Sequence, residues 1–305
     1  MRKEVLEINK AKWIHINKPS KDDIKFIKSS FLFHPLVIES INQPTLHPAV
    51  DEYGDHLFFI LHFPVIYRER IANKAAEVDF LVTKNLLITV TYHTYDRLEE
   101  LFEKLNQDEE LRAKFAAHST GPLVYGLLDW LLGSLIHDLD FIEAEVTRIE
   151  DKIFKKQGPE MVEDISHARR DILDFRRILL PSEMVLKTLP DTAKKFYGEA
   201  MEPYFADLIT VEGKIQHMIE NHKETIEALN ATHESMLSNR ISGIITLLTI
   251  FSAIIMPLNL IASIWGMNHA YLPLRDGPYD FWLIIGVMSV FLIAFIFIFR
   301  RKNWI

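Results

Sequence analysis

Ser242, Ile245, Thr249, Ser252, Met256, Asn259 and Ser263 recur at spacings of three and four inside a stretch, Ile241 to Asn268, that has no charged side chain. That spacing places them on one face of a helix. Most are polar or small, so their chemistry is neither acid–base nor nucleophilic. It is the hydrogen bonding of hydroxyl and amide oxygens with water or with a hydrated ion. Polar groups are costly against lipid and much less so against other helices or a water-filled path. Small residues on one face also allow close packing of membrane helices, and both readings stay open on periodicity alone. The stretch ends in Trp265-Gly266-Met267-Asn268.

If the face lines a pore, one chain cannot enclose it, because only one further run, Phe281 to Phe299, is apolar enough to accompany it. A ring of copies is then required, with the first span innermost. Ser, Thr and Asn form stacked polar rings in such an assembly, while Ile245 and Met256 form apolar constrictions able to gate by excluding water. Pro257 removes one hydrogen bond within the helix and reads as a structural bend.

A helix of about 20 apolar residues crosses a hydrocarbon core of about 30 Å. Both runs meet that length, and both must be helical, since lipid offers no partner to a free backbone group. Arg240 precedes the first and Arg300-Arg301-Lys302 follows the second. The intervening loop holds Arg275 against Asp276 and Asp280. Excess positive charge at the two ends places them in the cytoplasm and the loop outside. Trp265, Tyr271, Tyr279, Trp282 and Trp304 lie where interfacial aromatics anchor such spans.

Other chemistries are poorly served. The 305-residue chain has no cysteine, which removes disulfides, thiolate metal sites and cysteine nucleophiles. His217, His222 and His233 lack the spacing of paired metal ligands on one helical turn, and no phosphate-binding glycine loop or nucleophile elbow is present. An enzyme is not expected, nor any resident cofactor. Lys and Arg number 34 against 42 Asp and Glu, a net charge of -8, which disfavours a nucleic-acid partner. The opening Met-Arg-Lys-Glu-Val-Leu-Glu has no apolar core of a secretory leader, so the first 240 residues are expected to stay on the side of synthesis.

Before the spans, residues 11 to 95 alternate short apolar runs with polar stretches. The runs 57 to 61, 80 to 83 and 86 to 91 read as strands, the last two as a hairpin about Lys84-Asn85. From about Tyr95 the pattern is helical. Leu123 to Phe154 and Asp164 to Leu180 predict two antiparallel helices, the second interrupted by Pro181. A third begins after Pro203 and meets no break before the first span. Ile215, Ile219, His222, Ile226, Leu229, His233 and Met236 follow the coiled-coil period along it.

With these features in place, the chain resembles the CorA family of divalent-cation channels over nearly its whole length. The resemblance rests on Gly266-Met267-Asn268, on Met256-Pro257-Leu258, and on the basic end Arg300 to Ile305. It also rests on His34-Pro35-Leu36, the run Glu52 to Leu57, the hairpin at Lys84-Asn85, and Arg176 to Pro181. It implies an α+β cytoplasmic domain, long stalk helices and a C-terminal two-helix transmembrane hairpin, assembled as a funnel-shaped homopentamer in the inner cell membrane. The corresponding divisions are 1–95, a cytoplasmic α/β domain; 96–200, a helical region; and 201–240, the stalk. The first span is 241–268, the external loop 269–280, the second span 281–299 and the basic tail 300–305. The implied partners are further copies of the chain, the bilayer and divalent cations. Asn268 is implied to line the outer mouth, where amide oxygens accept hydrogen bonds from the waters that Mg²⁺ holds tightly.

Some positions depart from the family pattern. Many magnesium-transporting members carry a glutamate just after the tripeptide, where this chain has His269, with Asp276 and Asp280 the nearest carboxylates. Imidazole suits zinc, nickel or copper better than magnesium. Mg²⁺, with Co²⁺ and Ni²⁺ beside it, is the expected cargo, and a zinc or broad-specificity carrier resembling the ZntB branch is the alternative. Ala231 falls where regulated members carry a stalk aspartate, leaving Glu227 and Glu234, about one turn away, as candidate regulatory ligands. The acidic run from Asp138 to Asp151 reads as a solvated face. A membrane-tethered sensor or scaffold is the rival from another class, though an anchor needs neither a polar stripe nor Asn268.

Overall fold

The structure is a computed structural model that describes residues 2–66, 74–115, 119–153, 159–267 and 279–302. The chain divides into two units, residues 1–230 and 231–305.

The first unit is built on a six-stranded sheet of order β1-β2-β6-β5-β4-β3. Its strands are β1 (Arg2–Ile8), β2 (Ala11–Asn17), β3 (Ala49–Tyr53), β4 (His56–Val65), β5 (Lys74–Val82) and β6 (Leu86–Thr91). All neighbours are antiparallel except β2 and β6, where Ile14 is level with Ile88. The hairpin expected at Lys84-Asn85 is present, with Val82 opposite Leu87. Thr83 closes it by donating its N–H to the Leu86 carbonyl at 2.8 Å.

Both sheet faces are covered, so β4, β5 and β6 are buried almost end to end, with Glu77 and Asp79 of β5 enclosed among mostly apolar residues. On one face Ile14, Ile16, Phe58, Ile60, Leu81, Ile88 and Val90 pack with α1 (Lys21–Ser30) and α2 (Pro35–Ser40) through Ile27, Val37 and Ile38. Ser20 and Asp23 start α1 with a reciprocal capping box. On the other face Trp13 meets Phe102 of α3 (Asp96–Gln107), ring centroids 4.9 Å apart.

A short helix α4 (Glu109–Lys114) leads to the long pair α5 (Gly121–Ile153) and α6 (Pro159–Tyr197). Lys152 pairs with Asp164 at 3.0 Å at one end, and the Thr120 and Tyr197 hydroxyls lie 2.9 Å apart at the other. The helices are therefore antiparallel, as expected. The expected interruption at Pro181 is not found, because α6 continues through both Pro181 and Pro190. The next residue supplies the reason. β3 accompanies β4 only as far as Ile60, and buried Ser182 meets the unpaired edge beyond it. The Ser182 hydroxyl accepts from the His62 N–H at 3.1 Å and donates to the His62 carbonyl at 3.3 Å. Tertiary packing thus holds a helix that proline alone would weaken.

A single 3₁₀ turn, Glu199–Met201, precedes α7 (Glu202–Gly266), which begins with Pro203 in its first turn. The remaining helix, α8, spans Asp280–Arg301.

Candidate functional site: the polar face of the first apolar helix

Helix α7 takes in 65 residues, Glu202 to Gly266, and belongs to both units. In the first unit its apolar stripe is buried as the spacing predicts, at Ile215, Ile219, Ile226 and Leu229, and Leu208 before it is buried as well. Tyr125 of α5 donates to Asp207 at 3.1 Å, and Arg176 of α6 lies 3.7 Å from Glu220, so α7 meets both long helices. His222 belongs to the stripe, is 8% exposed, and its Nε2 has no hydrogen-bond partner among the described residues. Burial lowers its pKa below the ordinary 6.5, opposed by the charges of Glu143 and Asp140 on α5.

In the second unit the character changes. The apolar windows of α7 and α8 have mean hydropathies of 2.3 and 2.8. Ile241, Leu248, Phe251, Leu260 and Ile264 of α7 are exposed, as are Phe281, Trp282, Val290 and Phe297 of α8. Such continuous apolar surface is stable only against lipid or other chains. The 22 residues of α8 extend for about 33 Å, enough to cross a hydrocarbon core.

Every position of the expected stripe, Ser242, Ile245, Thr249, Ser252, Met256, Asn259 and Ser263, is exposed in the single chain. Met256 is 77% exposed. The covered positions of the same helix form another set: Ile250 is buried, and Ala253, Ile254, Pro257, Leu258, Ile261 and Trp265 are partly buried. At about 100° per residue the centres of the two sets lie roughly 150° apart around the helix. The polar face is therefore not the one the chain covers by itself.

The hydroxyls on this helix are oriented. Thr249 donates to the Ile245 carbonyl and Thr246 to the Ser242 carbonyl, each at 2.8 Å. The donor of each group is committed to the backbone, which leaves its oxygen as an acceptor, suited to a cation or its waters. Thr246 lies outside the expected stripe, about a quarter turn from its centre. Pro257 sits inside a continuous α7, leaving the Ala253 carbonyl without its usual helical donor.

Gly266 is the last residue of α7, and a Cβ built on it meets nothing within 4 Å. Among the described residues, neither backbone strain nor packing calls for glycine there. Met267 follows, its N–H turned to the Ile264 carbonyl at 3.3 Å in a tightened last turn. Asn268, His269 and Asp276 lie outside the described residues. Asp280 opens α8 and has an interaction partner. Glu227 and Glu234 are each exposed on α7. In the acidic run of α5, Asp138 is paired with Arg97 at 3.0 Å and Glu145 with Arg148 at 2.6 Å. Among the described residues no three His, Asp or Glu side chains converge on a metal-sized site.

Comparison with known proteins accords with this architecture. Residues 9–301 match the family model described as CorA-like Mg²⁺ transporter protein. The cobalt/magnesium transport protein CorA of Thermotoga maritima is 24% identical over 294 residues, covering 96% of this chain and 83% of that protein. The structure of the CorA magnesium transporter from Methanocaldococcus jannaschii superposes with a TM-score of 0.85 at 24% identity, covering 98% of this chain and 93% of that one. The ZntB cytoplasmic domain from Vibrio parahaemolyticus shares the fold of the corresponding region, with a TM-score of 0.62 at 13% identity, covering 76% of this chain and 90% of that one.

Proposed function

The chain belongs to the family of CorA-like Mg²⁺ transporter proteins, a family of transporters and not of enzymes, and from that membership we propose that it conducts Mg²⁺, with Co²⁺ and Ni²⁺ as further cargo. The observation that carries this reading is the separation of faces on α7. Its covered residues lie on one side, and the acceptor-bearing stripe from Ser242 to Ser263 lies exposed on another. A ring of copies, a homopentamer by likeness to the family, brings those stripes together around a path. Asn268 stands at its outer mouth and hands a hydrated ion to stacked hydroxyls and amides. Thr249 and its neighbours accept hydrogen bonds from the waters that Mg²⁺ keeps. The metal is cargo, and no resident cofactor is invoked. With both chain ends in the cytoplasm of an inner-membrane protein, an inside-negative potential drives influx by about 4.6 kcal/mol per 100 mV for a doubly charged ion. Glu227 and Glu234, exposed on α7, are offered to a neighbouring copy as regulatory carboxylates.

A second reading, a zinc or broad-specificity carrier, is favoured by His269 directly after the tripeptide. The test is the purified chain in proteoliposomes with Mg²⁺, Co²⁺, Ni²⁺ and Zn²⁺ supplied separately at equal concentration. Mg²⁺ influx exceeding Zn²⁺ influx supports the first reading. Zn²⁺ influx exceeding Mg²⁺ influx establishes the second.

A further inference from the structure

Between the start of α5 and the start of α7, wholly within the first unit, lies an open cleft of about 670 Å³ that the transport reading does not use. Its walls include Phe115, Tyr125, Trp130, Met201 and Tyr204, with Asp129 among them. We infer that this cleft binds a small organic cation, a ligand joining an apolar body to an ammonium or guanidinium head.

The aromatic rings are held in place. Tyr125 and Tyr204 meet edge to face, centroids 5.3 Å apart, and the Tyr125 hydroxyl donates to Asp207 at 3.1 Å. Trp130 donates its indole N–H to the Arg97 carbonyl at 3.2 Å. Lys104 sits 4.5 Å from the centre of the Trp130 ring, so this indole already carries one cation of the chain's own. Phe115 lies directly on the backbone of α5, where a Cβ at Gly126 would come within 2.5 Å of its ring. Glycine at that position is what lets this wall close.

Charge decides the class of ligand. Asp129 is exposed as a residue, yet its carboxyl is partly enclosed by the cleft. That enclosure, followed by the nearby Asp207 charge, raises its pKa. A cation placed between the two carboxylates relieves their repulsion. Lys114 on the rim and Lys104 over the Trp130 ring are cations of the chain's own at this cleft. An anion would add to the Asp129 and Asp207 charges, and a wholly apolar ligand would further desolvate Asp129 without supplying a counter-charge. A hard metal ion gains nothing from ring faces, whereas an organic ammonium gains from both the rings and the carboxylates.

The test is a ligand-observed NMR titration of the full-length chain in detergent with phenethylammonium, against its uncharged isostere phenethyl alcohol. The expected result is binding about tenfold tighter for the cation, lost by about the same factor in Tyr204→Ala and in Asp129→Asn/Asp207→Asn. These three positions are exposed, so the variants are expected to fold, which circular dichroism verifies. Equal affinity for cation and alcohol overturns the inference. So does unchanged cation affinity in Tyr204→Ala, which would assign binding to acidic surface alone. A change in assembly mass on light scattering for Tyr204→Ala, with no change in binding, would make the cleft a contact between copies and equally overturn it.

Discussion

The Thr249 hydroxyl donates to the Ile245 carbonyl at 2.8 Å, so two neighbours on the exposed stripe of α7 are locked in one arrangement. The proton is committed to the backbone carbonyl, and the oxygen keeps its capacity to accept. Replacing Thr249 with Val keeps the shape and removes that acceptor. Mg²⁺ flux is expected to fall about fivefold, the factor for one hydrogen bond of roughly 1 kcal/mol, with the helix intact by circular dichroism. Thr249→Ser, which keeps the oxygen, is expected to retain flux.

Gly266 makes a sharper separation of stability from function. Among the described residues nothing obstructs a Cβ there, and its φ is not in the left-handed region that would require glycine, so alanine is compatible with the helix end. Gly266→Ala is expected to leave the melting temperature unchanged or raised while flux falls. A parallel loss of both would assign the glycine a structural role.

The junction of α6 with β4 predicts a stability effect far from the spans. Ser182 serves both the N–H and the carbonyl of His62, and both are buried. Ser182→Ala leaves two backbone groups unpaired and is expected to destabilise the first unit by about 1–3 kcal/mol in urea denaturation.

Asp79 predicts a pH dependence. It is fully buried on β5, accepts from the Tyr92 hydroxyl at 2.7 Å, and its pKa is raised well above 3.8, first by burial and then by the charge of Glu77. A raised value means that the folded chain holds this proton more tightly than the unfolded chain. The contribution is full below the ordinary aspartate value and is lost as pH rises through the folded value. Asp79→Asn mimics the protonated form, so its stability is expected to be flatter across that window and higher on the alkaline side. Melting curves at several pH values check this.

His222 works in the opposite direction. Its lowered pKa makes folding disfavour the proton, so stability is present above the ordinary histidine value of 6.5 and is lost as pH falls below it. His222→Leu is expected to remove that acid-side loss and to be neutral or stabilising near pH 7. A larger acid-side loss in the variant would show that Asp140 and Glu143 outweigh burial.

How much of this was legible in sequence follows from what each element touches. The runs expected within β4, β6 and the end of β5 were legible because both faces of those strands are covered and these stretches are apolar or β-branched. β1, β2 and β3 are not among the expected strands. Arg2–Ile8 has charged side chains at four of seven positions, Lys12 and His15 interrupt Ala11–Asn17, and Ala49–Tyr53 is only partly buried, so none has an apolar run to read. Pro181 misled because its local effect was visible and Ser182's hold on His62, 120 residues away in the chain, was not. The stripe from Ser242 to Ser263 was legible because spacing alone defines a helix face. Which face the chain covers, by contrast, depends on tertiary packing that no periodicity records.

The most direct measurement is voltage-driven Mg²⁺ influx into proteoliposomes, read by an entrapped dye, for the wild-type chain and for Asn268→Ala. The account predicts influx above protein-free vesicles that grows as the interior is made more negative and collapses in Asn268→Ala. Influx equal to that of empty vesicles, or undiminished in the variant, would contradict it.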